Sequence, residues 1–164
     1  MTDFLALLHR DHHDLEVGLD DLLEAVPLSQ IRGALDGVRL GLTAHAEAEY
    51  VVLCAALRRI DDREVLEPYV GQAREAHLAQ EGALASLVCT RPGTSSWRER
   101  ARFLYELVRE HALFEEETVA RAIQRHAPEI YEELAGEFAT ERLRQLSWQQ
   151  PSAPIVTASA ARAS

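Results

Sequence analysis

Four of the seven histidines in this chain fall within regular apolar repeats, and each of the four is followed four residues later by a glutamate. Residues four apart lie on one face of an α-helix, so each pair can present an imidazole and a carboxylate to the same space. These two groups suit iron, manganese or zinc, and no cysteine is spaced for a thiolate zinc site. The pairs are His45 with Glu49, His77 with Glu81, and His111 with Glu115, and the fourth histidine is His12.

The first segment offers three candidate histidines instead of one. His12 has Glu16 four residues later, but Leu15 holds the next apolar position, so we expect this helix to contribute a histidine only. His9 and His13 are themselves four residues apart, and a rotation of the helix would turn one of them inward. We expect His12 to face the core, with His13 and then His9 as the alternatives.

The apolar periodicity places all four histidines of this set inside the protein. Burying imidazoles and carboxylates among apolar side chains without compensation costs many kcal/mol, and a bound cation is the simplest compensation. About seven side-chain ligands are too many for one ion, so two metal ions are indicated. A carboxylate can bridge two ions whereas a histidine nitrogen cannot, so we expect Glu49 and Glu115 to form the bridges.

The elements that must position these residues are helices. Glycine and proline are sparse, and 47% of the 164 residues are hydrophobic, which suits one domain with one sizeable core. Apolar residues recur at steps of three and four through five segments. The predicted helices span about 2–26, 30–59, 64–90, 96–126 and 128–146; together they form one domain over 1–147, and 148–164 is predicted to be a disordered tail.

Four long helices with short connections fold most simply as an antiparallel up-down-up-down four-helix bundle, and the fifth is a short additional C-terminal helix. The fold class is therefore all-α. The midpoints of the four long helices fall at, or within two residues of, the four histidines, so these should converge at one level of the core. In the fourth helix the inward face is predicted to continue through Thr118 and Ala122.

As a set, a histidine in helix 1, HAEAE in helix 2, a histidine in helix 3 and HALFEE in helix 4 resemble the hemerythrin or HHE cation-binding family, over residues 1 to about 126. The resemblance implies a four-helix bundle around a non-haem centre of two iron ions, oxo- or hydroxo-bridged. Carried over, it makes metal ligands of His12, His45, Glu49, His77, His111 and Glu115.

The chain departs from the oxygen-carrying hemerythrins in two places. They have an HxxxH pair on helix 3, where this chain has His77 and Glu81. They also use a carboxylate five residues after the helix-4 histidine, where this chain offers Glu116 beside Glu115. We expect Glu81 to be a ligand, and a carboxylate in place of imidazole favours ferric iron and weakens reversible oxygen carriage.

The vacant metal positions predict a di-iron protein that binds or reacts with a small oxidant, namely dioxygen, hydrogen peroxide or nitric oxide. Catalase-like decomposition of peroxide is its enzymatic form, with no catalytic residue beyond the metal centre. The alternative is an iron or oxygen sensor, or an iron-binding regulatory protein without turnover. A ferritin-like oxidase is disfavoured because ExxH pairs are absent, and a metal-free interaction bundle ranks third.

The charge and the cysteine content limit which partners and which cellular compartment are expected. With 27 acidic against 17 basic residues the net charge is −10, which disfavours nucleic acid and anionic membranes. No apolar run in the sequence reaches the ~18 residues of a membrane span. Cys54 and Cys89 stand apart, and we expect reduced thiols in a cytoplasmic protein that is a monomer or a weak homodimer.

Overall fold

The computed structural model describes residues 3–61 and 63–149, and within these ranges the chain is helical and contains no β-strand. The all-α prediction is confirmed. The elements are α1 (Phe4–Glu24), α2 (Leu28–Leu57), α3 (Arg63–Val88), α4 (Ser95–Phe114), a π-helical turn (Glu115–Val119), α5 (Ala120–His126) and α6 (Pro128–Gln149).

The first four helices form the predicted bundle. α1 packs against α2 and α4, and α3 packs against the same two helices from the other side. Each connection is short, so consecutive helices run in opposite directions. The π turn and α5 extend α4 along the bundle axis. Together these elements give the antiparallel up-down-up-down arrangement.

Local sequence signals set where these helices begin. The Asp3 carboxylate accepts a hydrogen bond from the backbone N–H of Ala6, which caps α1. Thr94 caps α4 in the same way by accepting from the N–H of Trp97 at 3.2 Å. Before it, Gly93 adopts a φ of 80°, a left-handed conformation that glycine tolerates without strain.

The apolar core is divided into two clusters by a polar layer. On α1, Leu8 belongs to one cluster and Leu15 to the other, with His12 between them. On α2, Val52 and Leu42 belong to the same two clusters and lie on either side of the predicted ligands of that helix. The candidate ligands therefore form a polar slab with apolar packing above and below.

The fourth bundle helix is not the continuous α-helix that its periodicity predicted. The π turn inserts one residue, which rotates everything after it by about 100° relative to a continuous helix. Val119 and Ile123 are buried after the turn, whereas Thr118 and Ala122, which we expected to face inward, are only half-buried. The assumed unbroken 3.6-residue period therefore placed the inner face one residue too early, although Ala122 still packs against the edge of the core.

The C-terminal helix α6 lies along α2 and also contacts α1 and α5. Its inner face is apolar, and Phe138 there is 1% exposed. The Phe138 ring meets the rings of Phe4 and His45 edge-on, with centroids 6.1 Å and 5.8 Å apart. α6 continues to Gln149, so Trp148 and Gln149, which we expected in the tail, are helical. The rest of the predicted tail, 150–164, lies outside the described residues.

α2 is long and apolar enough to cross a membrane by length and composition alone. Its best 18-residue window has a mean hydropathy of 1.2, and 44% of that window is buried inside the protein. Core helices of bundles pass the same test, and this helix carries two buried ligand candidates, His45 and Glu49. We therefore interpret α2 as a core helix.

If α6 is an integral part of the core, Phe138→Ala should lower the free energy of unfolding by about 3–5 kcal/mol, because it leaves a cavity between α6, α1 and α2. Trp148→Ala removes a larger side chain that is 71% exposed and should change stability by less than about 0.5 kcal/mol. Equilibrium unfolding in urea measures both. Equal losses in the two variants would contradict this packing.

Candidate metal centre

Six of the seven predicted ligands meet in the polar slab. They come from all four bundle helices, with Glu115 supplied by the first residue of the π turn. Five of them are at most 4% exposed and the sixth is 9% exposed. They are His12 from α1, His45 and Glu49 from α2, His77 from α3, His111 from α4, and Glu115.

Glu49 stands at the centre of one half of the slab. Its Oε2 lies 3.4 Å from His77 Nε2, 3.5 Å from His45 Nε2 and 3.9 Å from His111 Nε2. Three imidazoles from three different helices therefore face one carboxylate oxygen. The i, i+4 relation places His45 and Glu49 together, as the sequence predicted, and the bundle brings the other two.

Glu115 occupies the corresponding place in the other half. Its Oε2 lies 3.0 Å from His12 Nε2, 3.3 Å from His111 Nε2 and 3.9 Å from His45 Nε2. His45 and His111 thus face both carboxylates, and His12 faces only this one. The two halves share a boundary at these two central histidines.

Several polar atoms in the slab are buried without any hydrogen-bond partner. An unsatisfied buried polar atom costs about 1–3 kcal/mol, and native proteins carry few of them. These atoms converge, and two overlapping groups of four ligand atoms lie within 4.8 Å of one another. Metal cations fit this donor set, in which each residue offers one nitrogen or oxygen atom to the space between the helices. The unpartnered atoms of the clustered residues are His45 Nε2, His77 Nε2, both ring nitrogens of His111, Glu49 Oε2 and Glu115 Oε1.

His45 is held by a hydrogen-bonded chain that reaches α6. Its Nδ1 donates to Asp11 Oδ2 at 2.8 Å, which leaves Nε2 free to face the slab. Arg142 Nε donates to both Asp11 oxygens at 2.7 Å, and its Nη2 lies 2.7 Å from Oδ1. Burial opposes ionisation of Asp11, but its bonds to His45 and Arg142 outweigh that and lower its pKa. A carboxylate on the outer nitrogen of a ligating histidine fixes its tautomer and raises its basicity.

His12 is held in the same way by the residue after Glu115. Its Nδ1 donates to Glu116 Oε1 at 2.8 Å, and the other Glu116 oxygen lies 2.9 Å from Nδ1 of the exposed His9. The π turn makes this possible, because it lets two consecutive glutamates face α1. The slab therefore has a polar connection to solvent through Glu116 and His9.

The three histidines of α1 occupy distinct environments. His12 is 2% exposed and faces the slab, whereas His13 is exposed and His9 reaches only Glu116. Leu8 and Leu15 point inward with His12 and fix the rotation of the helix. The structure thus brings His12 to the site and keeps the two alternatives outside it; that His12 ligates a metal stays a prediction.

Glu81 is the predicted ligand that the structure does not bring to the others. The inward positions of α3 run through His77, Gln80 and Leu84, so the turn after His77 presents Gln80, which is 4% exposed. Glu81 falls one position off that face and is exposed at the rim of a cleft. Spacing of four alone could not distinguish the two neighbours, since i+3 and i+4 flank the same face.

Sequence reasoning missed Asp11 and Arg142. Asp11 carried a local signal, since it precedes His12 in a run of charged residues, RDHHD. Arg142 carried none, because it is 131 positions from Asp11 and only the packing of α6 brings the two together.

The histidines differ in how readily they take a proton. Burial disfavours the charge on His12, but hydrogen bonds to Glu115 and Glu116 outweigh this and raise its pKa to about 9. Burial, reinforced by the neighbouring imidazole of His111, lowers the pKa of His77 to about 2. Burial also lowers the pKa of His45, despite its bond to Asp11. Of these three histidines, His12 is therefore the one that holds a proton at neutral pH.

The two carboxylates cannot both ionise freely without a cation. Burial and the negative charge of Glu115 raise the pKa of Glu49 well above its ordinary value. Burial opposes ionisation of Glu115 as well, but the electrostatic interaction with His111 and the hydrogen bonds that Glu115 receives lower its pKa well below its usual range. Glu49 therefore keeps its proton while Glu115 is charged. Bound divalent or trivalent ions would supply the positive charge that allows both carboxylates to ionise.

Comparison with known proteins gives one match. The family model of the hemerythrin HHE cation-binding domain matches residues 3–123, from the residue before α1 to the buried Ile123 of α5. No curated protein and no solved structure matches the chain. The matched range contains all six clustered residues, and it excludes α6 with Arg142.

Metal binding should release protons, because a ligating imidazole or carboxylate must be deprotonated. A pH of 7 is below the pKa of His12, which is about 9, so this imidazole is protonated in chelator-stripped protein. It must lose its Nε2 proton when it binds the metal. Calorimetric titration with zinc in buffers of different ionisation enthalpy should show at least about one proton released per site. Metal affinity should rise with pH through this range and level off as pH passes 9.

His126→Ala is the matched control, because His126 is exposed near the end of α5, away from the slab. It should leave the proton count unchanged. Binding without net proton release at pH 7 in the unaltered protein would contradict the assignment of His12 as a ligand.

Arg142→Leu should weaken metal binding by roughly 10–100-fold, because Asp11 would lose its clamp and His45 its fixed orientation. Competition against a coloured chelator gives the affinity. Arg144→Leu, on the same helix and paired with Glu141 at the surface, should leave the affinity unchanged. Equal affinities of the Arg142 variant and the parent chain would show that this chain of hydrogen bonds does not support the site.

Proposed function

The chain belongs to the hemerythrin HHE cation-binding family, and from this we propose that its polar slab holds two iron ions and reacts there with a small oxidant. A metal-binding helical domain with a buried histidine and glutamate cluster is the part that the family match and the geometry support directly. The observation that carries the proposal is the convergence of five buried, unpartnered ligand atoms on one layer of the core.

Ring separations favour one distribution of the ligands over two ions. The His12 and His45 centroids are 4.9 Å apart and those of His77 and His111 are 4.3 Å apart, whereas the other histidine pairs with measured ring contacts are 5.5 Å or more apart. We propose that His12 and His45 hold one ion and His77 and His111 the other. Glu49 and Glu115 face histidines of both pairs, which suits bridging carboxylates.

This ligand set leaves room for an external ligand. Four histidines and two bridging carboxylates fill roughly eight of about twelve positions on two six-coordinate ions. When bound, such an ion pair supplies electron transfer at a site with open positions. The protein's own residues hold and orient the ligands through Asp11 and Glu116, and the apolar clusters on both sides exclude bulk water.

Hydrogen peroxide is the oxidant that we propose first. Its decomposition, 2 H2O2 to 2 H2O and O2, needs no separate reductant, so the chain requires no second cofactor. Dioxygen and nitric oxide remain candidate ligands of the same site. A role in oxygen binding or in the response to oxidative stress follows from this proposal and depends on it.

An iron or oxygen sensor without turnover is the second candidate, and one observation favours it. The series of hydrogen bonds from His45 through Asp11 to Arg142 connects a predicted metal ligand to α6, which lies outside the matched family domain. Metal loading could therefore alter the packing of α6 and its recognition by a partner. A large iron-dependent change in α6, measured by hydrogen exchange, without peroxide turnover would favour sensing.

We also propose a cytoplasmic protein that is a monomer or a weak homodimer and binds neither nucleic acid nor membrane. The net charge of −10 supports this, as do Cys54 and Cys89, which are free thiols in the described structure. The apolar side chains of Leu143 and Trp148, 65% and 71% exposed on α6, offer a small surface for weak self-association.

Protein loaded with iron should contain about two irons per chain and show the charge-transfer absorption of a bridged ferric pair. His45→Ala and His111→Ala should each lose metal and peroxide turnover because a ligand is removed, and should also lose stability because the remaining carboxylates stay buried without their cation. His126→Ala should retain both, and Glu81→Gln tests the one predicted ligand that lies outside the cluster. Less than about half a metal per chain after reconstitution would reject the site.

A further inference from the structure

A cleft between α2 and α3 opens next to the metal centre. It encloses about 290 Å³ and reaches inward to the side of His77. Its floor includes the buried residues Leu42, Gln80 and Leu84, and its rim includes exposed Tyr50 and Leu78. Dioxygen and hydrogen peroxide are each only about the size of one or two water molecules, which occupy ~30 Å³ apiece in the liquid. The cleft is large enough for an organic group as well.

Gln80 gives the inner end of the cleft a specific polar feature. Its side chain is 4% exposed, and its Nε2 has no hydrogen-bond partner. His77 lines the same wall of α3, and its Nε2 lies 3.4 Å from Glu49 Oε2 in the slab. A buried amide donor left unsatisfied costs about 1–3 kcal/mol, so an acceptor on a ligand in the cleft would recover that energy.

Charges at the rim select against anions. Glu47 and Glu81 are both exposed there, and Arg74 is the basic residue among the lining side chains. The guanidinium of Arg74 lies over the Tyr50 ring, 5.1 Å from its centroid, at the outer part of the cleft. Two carboxylates outnumber one guanidinium, and the chain as a whole carries a charge of −10. A neutral ligand enters with less electrostatic cost than a carboxylate.

We propose that this cleft binds a small neutral organic molecule with a hydrogen-bond-accepting oxygen, and that Gln80 Nε2 donates to that oxygen beside His77. The organic body lies against Leu42 and Leu84, in keeping with pockets that combine apolar walls with a few polar groups. An apolar cavity of ~150 Å³ suffices to bind benzene, so a single aromatic ring is within the size limit. The inference rests on the proposed function only for the metal at His77.

The test uses 4-fluorobenzyl alcohol as the probe. Its binding is measured by 19F NMR, with the iron-loaded full chain and with chelator-stripped protein. Saturable binding is expected in the loaded protein. Gln80→Leu should weaken it about 3- to 10-fold by removing one hydrogen bond, and Ala46→Phe should abolish it by filling the cleft. Gln72→Leu, an exposed glutamine on the same helix, is the matched control and should not change it. Melting temperature and metal content establish that each variant is folded.

The anionic analogue 4-fluorobenzoate tests the charge argument and should bind more weakly than the alcohol. Absence of saturable probe binding, tighter binding of the benzoate, or equal weakening by Gln72→Leu and Gln80→Leu would overturn the proposal. Its failure is distinct from failure of the proposed function. If the protein decomposes peroxide but binds no probe, only the proposed ligand pocket is rejected. If it binds the probe but holds no iron, the proposed di-iron centre is rejected.

Discussion

The structure depends on one constraint, the burial of four imidazoles and two carboxylates in a single layer of an otherwise apolar core. Charged or unpartnered groups in such a place cost several kcal/mol each unless something compensates them. The protein alone compensates only in part, because Glu49 must keep a proton for Glu115 to be charged, and four imidazole nitrogens remain without partners. Cations would compensate the groups that face the slab, and binding that depends on the folded arrangement would add to the stability of the fold.

The rest of the fold serves that layer. Apolar clusters above and below exclude water, which strengthens every electrostatic interaction inside. Asp11 and Glu116 each accept from the Nδ1 of one histidine, so the Nε2 of that histidine faces the slab. α6 adds Arg142 to the first of these supports and Phe138 to the wall beside His45. A helix beyond the matched family domain is therefore part of the site's construction.

The sequence predicted the elements and six clustered residues because both depend on a short-range period. Apolar spacing of three and four fixed which face of each helix is buried, and it put His45, His77 and His111 on that face. It failed where the period changes or where two neighbours compete. The π turn moved the inner face from Thr118 to Val119, and Gln80 took the inward position instead of Glu81. Arg142 reaches Asp11 only through tertiary packing, which local patterns do not encode.

We propose that two iron ions lie in the slab, each held by its own pair of histidines. Anomalous diffraction from crystals of the iron-loaded protein, recorded on both sides of the iron absorption edge, locates the ions directly. Two peaks are expected between Glu49 and Glu115, one beside His12 and His45 and the other beside His77 and His111. A single peak, or peaks whose surrounding ligands lie outside the slab, would contradict the two-iron site.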